Sequence, residues 1–269
     1  MLIKSAKEIA QIKKGGQIIS RILAELKKVC RPGISTLAVD LAAEKMIIEA
    51  GGKPSFKDYA SRAGEIPFPG TICASLNHEL VHGVPHKNRI LKNGDIFSID
   101  IGMEWPAKGG HGYYTDTAIT VPIGEVSPKI KKLLGVTREA LEVGMKAVKP
   151  GNTVADIGLA IEEYVKSQGK YSIIRDLVGH GVGTAVHEDP PIPNFYDQSM
   201  ERYKLRPGMV IAIEPMIALG NYNVRTAKDG WTIEMADRSL CAHFEHTLVV
   251  TKNGHEVLTR RPKEKEENF

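Results

Sequence analysis

A chain of 269 residues, 42% hydrophobic and 25% charged, has the balance of a globular protein with a core large enough to need no staples. Cys30, Cys73 and Cys241 have no close spacing, which excludes a disulfide framework and a cysteine-rich zinc knuckle and points to a reducing, cytoplasmic setting. The net charge of +4 comes with no strong basic stripe for nucleic acid, and no apolar run is long enough to span a membrane.

In chain order, Ser5 and Glu8 are spaced as a capping box, so a helix is expected to start there. Ile9, Ile12, Ile19, Ile22, Leu26 and Val29 recur at helical spacing, and Arg31-Pro32-Gly33 stops the run. This polar, helical start does not read as a secretory leader. A second helix is expected from about Thr36 to Glu49. Pro54 to Ile72 reads as loop. Ile72 to Val84 predicts a strand, a turn near Asn77 and a second strand carrying His82. Leu91 to Asp100, LKNGDIFSID, is a turn feeding a buried strand, with Ile96, Ser98 and Asp100 on one face. Asp116 opens the next strand, DTAITV, after a glycine-rich hairpin.

Ser127-Pro128 predicts a helix to about Val148, and another follows over roughly Val154 to Ser167. The glycine-rich run Val178 to Val186 carries His180 and should turn tightly, with His187 just beyond. A proline-rich loop, DPPIPNF, leads to Leu205 to Glu214, LRPGMVIAIE. This is again a turn feeding an apolar run that ends on an acid, and Pro215 stops the ladder. A hairpin with Lys228-Asp229-Gly230-Trp231 at its turn precedes Glu245, which opens the strand EHTLVV. The tail from Arg260 to Phe269 is a charge run expected to be solvated and frayed.

The two strand–acid units match, and the echo extends further. Arg31-Pro32-Gly33 pairs with Lys149-Pro150-Gly151, and His82-Gly83-Val84 with His180-Gly181-Val182. The pattern predicts one domain built by duplication, roughly 1–124 and 125–255. The fold class is α+β, with two halves sharing an antiparallel sheet, helices on one outer face and a pseudo-twofold axis. Such an axis would bring Asp100, Asp116, Glu214 and Glu245 together. Taken singly, each acid fits a solvated strand edge or a salt bridge. Their paired recurrence, with a histidine in each half, favours a metal site. Four carboxylates in one pocket repel strongly, and two divalent metals would resolve that. Oxygen ligands plus the His180 imidazole suit Mn, Fe, Co or Zn. Such a pair lowers the pKa of a bridging water and polarises a carbonyl or phosphoryl oxygen, so hydrolysis is the natural chemistry.

Seven motifs carry a resemblance. They are Asn77-His78-Glu79-Leu80-Val81-His82-Gly83, Ser98-Ile99-Asp100, Thr115-Asp116-Thr117, Gly179-His180-Gly181-Val182-Gly183, His187-Glu188, Ile213-Glu214-Pro215-Met216 and Phe244-Glu245-His246-Thr247. Together they resemble the type I methionine aminopeptidases of the pita-bread metallopeptidase family, over nearly the whole chain. The resemblance implies the pita-bread fold and two metal ions on Asp100, Asp116, His180, Glu214 and Glu245, with Asp116 and Glu245 bridging. It also implies that His82, the match of His180, binds substrate instead of metal. His187 has the same type of role and helps stabilise the oxyanion. Glu214 would be general base and proton shuttle, and His82 would hold the substrate backbone or assist the departing amine. Phe68, Cys73 and Trp231 would line the methionine pocket. The substrates would be nascent polypeptides with a small second residue, met near the ribosome exit, and a monomer is expected. By that rule Leu2 should protect this chain's own Met1.

This sequence departs from the family pattern in places. His78 stands where Glu is usual, and the loops 57–67 and 104–114 are longer. The start of the chain suggests a bare catalytic domain without a zinc-binding or lysine-rich extension. An Xaa-Pro peptidase of the same fold would be expected to carry a large extra N-terminal domain. A non-catalytic binding protein of that fold would be expected to lose ligands, and all five positions are filled here.

Overall fold

Four helices begin where side-chain caps meet their first free N–H groups. In α1 (Ala6–Val29), the Ser5 hydroxyl accepts from the Glu8 N–H, and the Glu8 carboxylate accepts from the Ser5 N–H. Ser35 caps α2 (Thr36–Glu49), and Ser127, with Pro128 at the first position, caps α3 (Pro128–Lys146). A second capping box, Thr153 with Asp156, opens α4 (Val154–Ser167). The protein is seen here as a computed structural model that describes residues 3–60, 66–109 and 111–264.

The strands are paired antiparallel in two larger sheets and two small ones. In the first, Ile96–Trp105 is flanked by Tyr113–Pro122 on one side and by Lys53–Pro54 and Ile72–Leu76 on the other. In the second, His246–Thr251 lies between Gly254–Val257 and Val210–Ile213, and Gly179–Gly181 and Glu188–Ile192 follow outward. The order helix, helix, strands recurs, with α1 and α2 before the first sheet and α3 and α4 before the second.

Strand alternation decides which face meets the helices. Ile99, Ile101, Ile119, Val121, Ile211 and Ile213 share one core with Ile19, Leu23 and Leu26 of α1 and with Leu133, Leu141 and Ile161 of α3 and α4. Side chains with the opposite parity, Asp100 and Asp116 among them, therefore point away from the helices. The two halves of the sheet join where Tyr113–Pro122 runs beside 241–251. The Glu245 N–H donates to the Ala118 carbonyl at 3.1 Å. The hydroxyls of Thr117, Thr120 and Thr247 donate across the seam to the carbonyls of Glu245, His243 and Asp116, at 2.8, 2.9 and 2.8 Å. Threonine suits this place because its branched body packs as a strand residue while its hydroxyl replaces the missing ladder bond.

Four expectations change. Asp116 is the fourth residue of its strand and not the first, because the ladder continues outward through Tyr113 and Tyr114 opposite Trp105 and Glu104. His82 lies one residue past the strand Glu79–Val81, in a left-handed conformation with φ of 56°. The prolines at 190 and 191 lie in a strand, Glu188–Ile192, which is tolerated because it is a sheet edge. The charged tail is docked as far as Glu264. Arg261 and Glu264 are only 3% and 4% exposed. Glu264 Oε1 lies 3.0 Å from Nε2 of the buried His246, and Arg261 pairs with the same carboxylate. Residues 265–269 of that tail, and Met1 and Leu2, lie outside the described residues.

Burial alone would raise the Glu264 carboxyl, but His246 and Arg261 hold it down at about 2. Breaking a buried pair leaves the partner charge uncompensated. Glu264→Ala should therefore lower the unfolding free energy by about 3 kcal/mol in urea titrations. Glu25→Ala, on the exposed side of α1, should change it by less than about 0.5 kcal/mol.

Candidate metal centre

The ladder registers bring the acids together. Asp116 sits opposite Gly102 and Ala118 opposite Asp100, so Asp100 and Asp116 are diagonal neighbours on one face. Ile213 pairs with His246, which places Glu214 and Glu245 next to each other where the pairing ends. His180 comes from the strand Gly179–Gly181. Its glycines serve close approach more than a tight turn. A Cβ at Gly179 would run into the Ala212 carbonyl oxygen, and one at Gly181 would come within 2.8 Å of the Asp189 carbonyl oxygen. His180 Nε2 lies 3.4 Å from Asp116 Oδ2 and 3.8 Å from Glu214 Oε1. Ligand atoms of Asp116, His180 and Glu245 all lie within 4.8 Å of one another.

Asp116, Glu214 and Glu245 are buried and Asp100 is half-buried with its Oδ1 sealed from solvent, and the electrostatics register it. Burial, followed by repulsion from Asp116 and Glu214, pushes the Asp100 carboxyl up to about 7, with His243 opposing. Burial pushes Glu214 up to about 8, with Asp116 adding and His180 opposing. Asp116 and Glu245 are raised by burial as well. Asp100 Oδ1 has no hydrogen-bond donor among the described residues. Buried acceptor oxygens crowded together without donors suit a divalent cation, which supplies the missing positive charge.

His82 and His187 stand beside this cluster as neutral rings. Burial, then His243, lowers His82 to about 4, and burial, then His180 and His82, lowers His187 to about 3. The His187 ring meets His180 edge-on at 4.6 Å between centroids, and its Nδ1 is 3.1 Å from the Tyr59 hydroxyl. The loop that carries it is tied down. Lys4 Nζ meets Glu188 Oε2 at 2.5 Å, and Glu188 Oε1 accepts from the Thr184 N–H at 2.6 Å. Phe68, Cys73 and Trp231 form an apolar corner, with Phe68 and Trp231 edge-to-face at 5.3 Å.

A single cavity of about 690 Å³ is lined by all ten residues singled out from the sequence: Asp100, Asp116, His180, Glu214, Glu245, His82, His187, Phe68, Cys73 and Trp231. Sequence reasoning missed Phe56, Tyr59, Leu177 and Met216, which extend its apolar wall. Met216 carried a signal, since it stands two residues beyond Glu214 and opens the strand Met216–Ala218. Phe56 and Tyr59 lie in irregular loop, where no periodicity marks a side chain's direction. His243, two residues before Glu245, was also missed. Its Nε2 is 3.2 Å from Glu214 Oε2.

Comparison with known proteins identifies the family. Residues 10–252 match metallopeptidase family M24. The chain is 44% identical over 260 residues to methionine aminopeptidase 1 of Bacillus subtilis, covering 97% of this chain and 99% of that protein. It is 41% identical over 256 residues to the methionine aminopeptidase of Aquifex aeolicus, covering 95% and 97%. The crystal structure of methionine aminopeptidase from Rickettsia prowazekii matches with a TM-score of 0.89 at 34% identity, over 97% of this chain and 100% of that one. The prolidase from Pyrococcus horikoshii shares the fold, with a TM-score of 0.74 at 24% identity, and this chain covers 64% of it. The chain belongs to metallopeptidase family M24, within its methionine aminopeptidases. It is a metal-dependent peptidase with the pita-bread fold. No helix among the described residues is long and apolar enough to cross a membrane.

A raised carboxyl keeps a proton that the unfolded chain has released, so its contribution to stability is lost as pH rises through its folded value. The lowered histidines act at the other end, below their ordinary value of 6.5. Above about pH 6.5, where the histidines no longer oppose it, the metal-free protein should therefore lose thermal stability as pH rises to about 8, and a saturating divalent cation should abolish that loss. Scanning calorimetry with and without chelator measures both. A flat profile in chelator would contradict the crowding of the acids.

Proposed function

We propose that this protein removes the N-terminal methionine from nascent polypeptides whose second residue is small and uncharged. The observation that carries the reading is the meeting of four mutually repelling carboxylates and one imidazole beside an apolar corner, in one cavity. Two divalent ions would be held by Asp100, Asp116, His180, Glu214 and Glu245. Oxygen ligands with one imidazole suit Mn, Fe, Co or Zn. When bound, the ions activate water and polarise the first peptide carbonyl.

The chain's own residues do the rest. Glu214 takes the proton from the attacking water and passes it to the departing amine. With its hydrogen on Nε2, His187 accepts at Nδ1 from the Tyr59 hydroxyl 3.1 Å away. His187 thereby offers an N–H to the oxyanion from a neutral ring. His82 holds the substrate backbone or assists the departing amine. Its left-handed backbone and the contact of its ring with Trp231, 6.3 Å between centroids, place it between the acids and the apolar corner. The methionine side chain enters among Phe68, Cys73 and Trp231, with Phe56, Tyr59 and Met216 around them. An unbranched thioether suits aromatic walls of this kind. The paired acids are consistent with a duplication over 1–124 and 125–255. On this reading the enzyme works in the cytoplasm as a monomer, on chains leaving the ribosome, and Leu2 keeps its own Met1 in place.

Metal-stripped protein titrated with Mn, Fe, Co or Zn should release methionine from Met-Ala-Ser and spare Leu-Ala-Ser. Glu214→Gln should lower kcat by about a thousandfold. Cleavage confined to Met-Pro-Pro would move the protein to the Xaa-Pro peptidases, and no cleavage by folded protein with any of the ions would sink the reading. Trp231→Ala should raise KM for Met-Ala-Ser about tenfold while changing kcat much less, because it removes binding made equally in the ground and transition states.

A further inference from the structure

His243 stands against Glu214 but has no part in the mechanism above. It ends the short strand Cys241–His243, opposite Met216. Thr120 clamps its backbone. The His243 N–H donates to Thr120 Oγ1 at 2.8 Å, and Thr120 Oγ1 donates to the His243 carbonyl at 2.9 Å. Thr120 is itself 2.8 Å from the Ser98 hydroxyl. The residue is 1% exposed, and neither ring nitrogen has a hydrogen-bond partner among the described residues. Nε2 lies 3.2 Å from Glu214 Oε2, while His180 Nε2 is 3.8 Å from the other oxygen, Oε1. The two imidazoles thus address the two oxygens of one carboxylate.

A buried polar ring without a partner is costly, and an apolar side chain would fill the same space without that cost. The position of the ring points to a task at Glu214. We propose that His243 is the positioning residue for Glu214. Its neutral ring donates Nε2–H to Glu214 Oε2 and keeps Oε1 turned toward His180 and the cavity. At 3.2 Å the two atoms are within hydrogen-bond reach, and Nδ1 has no hydrogen-bond partner among the described residues to compete with it. Glu214 is already fixed at its backbone, where Asn194 Nδ2 donates to its carbonyl at 3.1 Å. His243 adds the restraint that the carboxylate itself needs. The role rests on the reading of Glu214 as base, and a base displaced by a fraction of an ångström loses rate more than affinity.

Two variants of the full chain separate positioning from packing. His243→Gln keeps an N–H donor, and His243→Leu removes it. With Met-Ala-Ser and Mn, His243→Leu should lower kcat about tenfold with KM within about twofold, while His243→Gln should stay within about threefold of the parent. In a Glu214→Gln background, His243→Leu should cost nothing further, because the residue acts through that carboxylate. Mn affinity of the metal-stripped proteins, read by calorimetry, should weaken in His243→Leu and hold in His243→Gln. Full activity of His243→Leu, equal damage in both variants, or additivity with Glu214→Gln would each overturn the proposal. If His243→Leu does not fold, His243→Met takes its place. A parent enzyme that leaves Met-Ala-Ser intact would refute the peptidase reading, and the calorimetry would still decide the role of His243.

Discussion

Repulsion among buried carboxylates is the constraint on which the rest of this structure depends. Asp100, Asp116, Glu214 and Glu245 cannot all ionise in one dry pocket without a cation, and burial raises every one of them. A fold that kept them only for stability would do better with apolar side chains. Their retention makes sense once a divalent cation is part of the folded state, since the free energy of binding then adds to that of folding. The sheet holds the acids where their mutual repulsion would otherwise drive them apart.

The seam between the two sheets does much of that holding. The backbone bond from Glu245 to Ala118 crosses it, and threonine hydroxyls add the rest. Thr247 spans both tasks. Its hydroxyl donates to the Asp116 carbonyl at 2.8 Å and lies 2.9 Å from Asp116 Oδ1, so it joins the halves and aims a carboxylate together. The docked tail supports the same region from behind. Thr259 Oγ1 accepts from the Thr247 N–H and lies 3.0 Å from His246, which Glu264 then meets. The tail is continuous through hydrogen bonds with the wall of the centre, which explains why charged residues are buried so near the end of the chain.

Much of this was legible in the sequence because it rests on local rules. Helices α2 and α4 occupy the predicted spans, and the caps Ser5, Ser35 and Ser127 sit where their spacing put them or where a helix was expected to begin. The acids were visible as polar ends of apolar runs. What escaped depends on partners remote in sequence. The Glu188–Ile192 strand looked like a loop because proline opposes pairing, and only its place at the sheet edge makes pairing tolerable. The tail looked solvated because its composition is charged, whereas its burial follows from the needs of His246, 18 residues from Glu264 in sequence. His243 was passed over because its neighbour Glu245 already satisfied the motif.

His82 and His180 show how a local backbone decides chemistry that composition leaves open. Each is followed by Gly-Val. His180 lies in a strand squeezed between two others, and its ring faces Asp116 at 3.4 Å. His82 falls one residue past its strand, in a left-handed turn, and its ring faces Trp231 instead. Glycine tightens both places for different ends. At Gly181 it lets the Glu188–Ile192 edge close on the His180 strand, and at Gly83 it lets the chain pass over the Ala74 carbonyl. Similar sequence thus delivers one imidazole to the acids and the other to the apolar corner. On the proposed reading, that asymmetry gives one imidazole to the cation and the other to the methionine side chain.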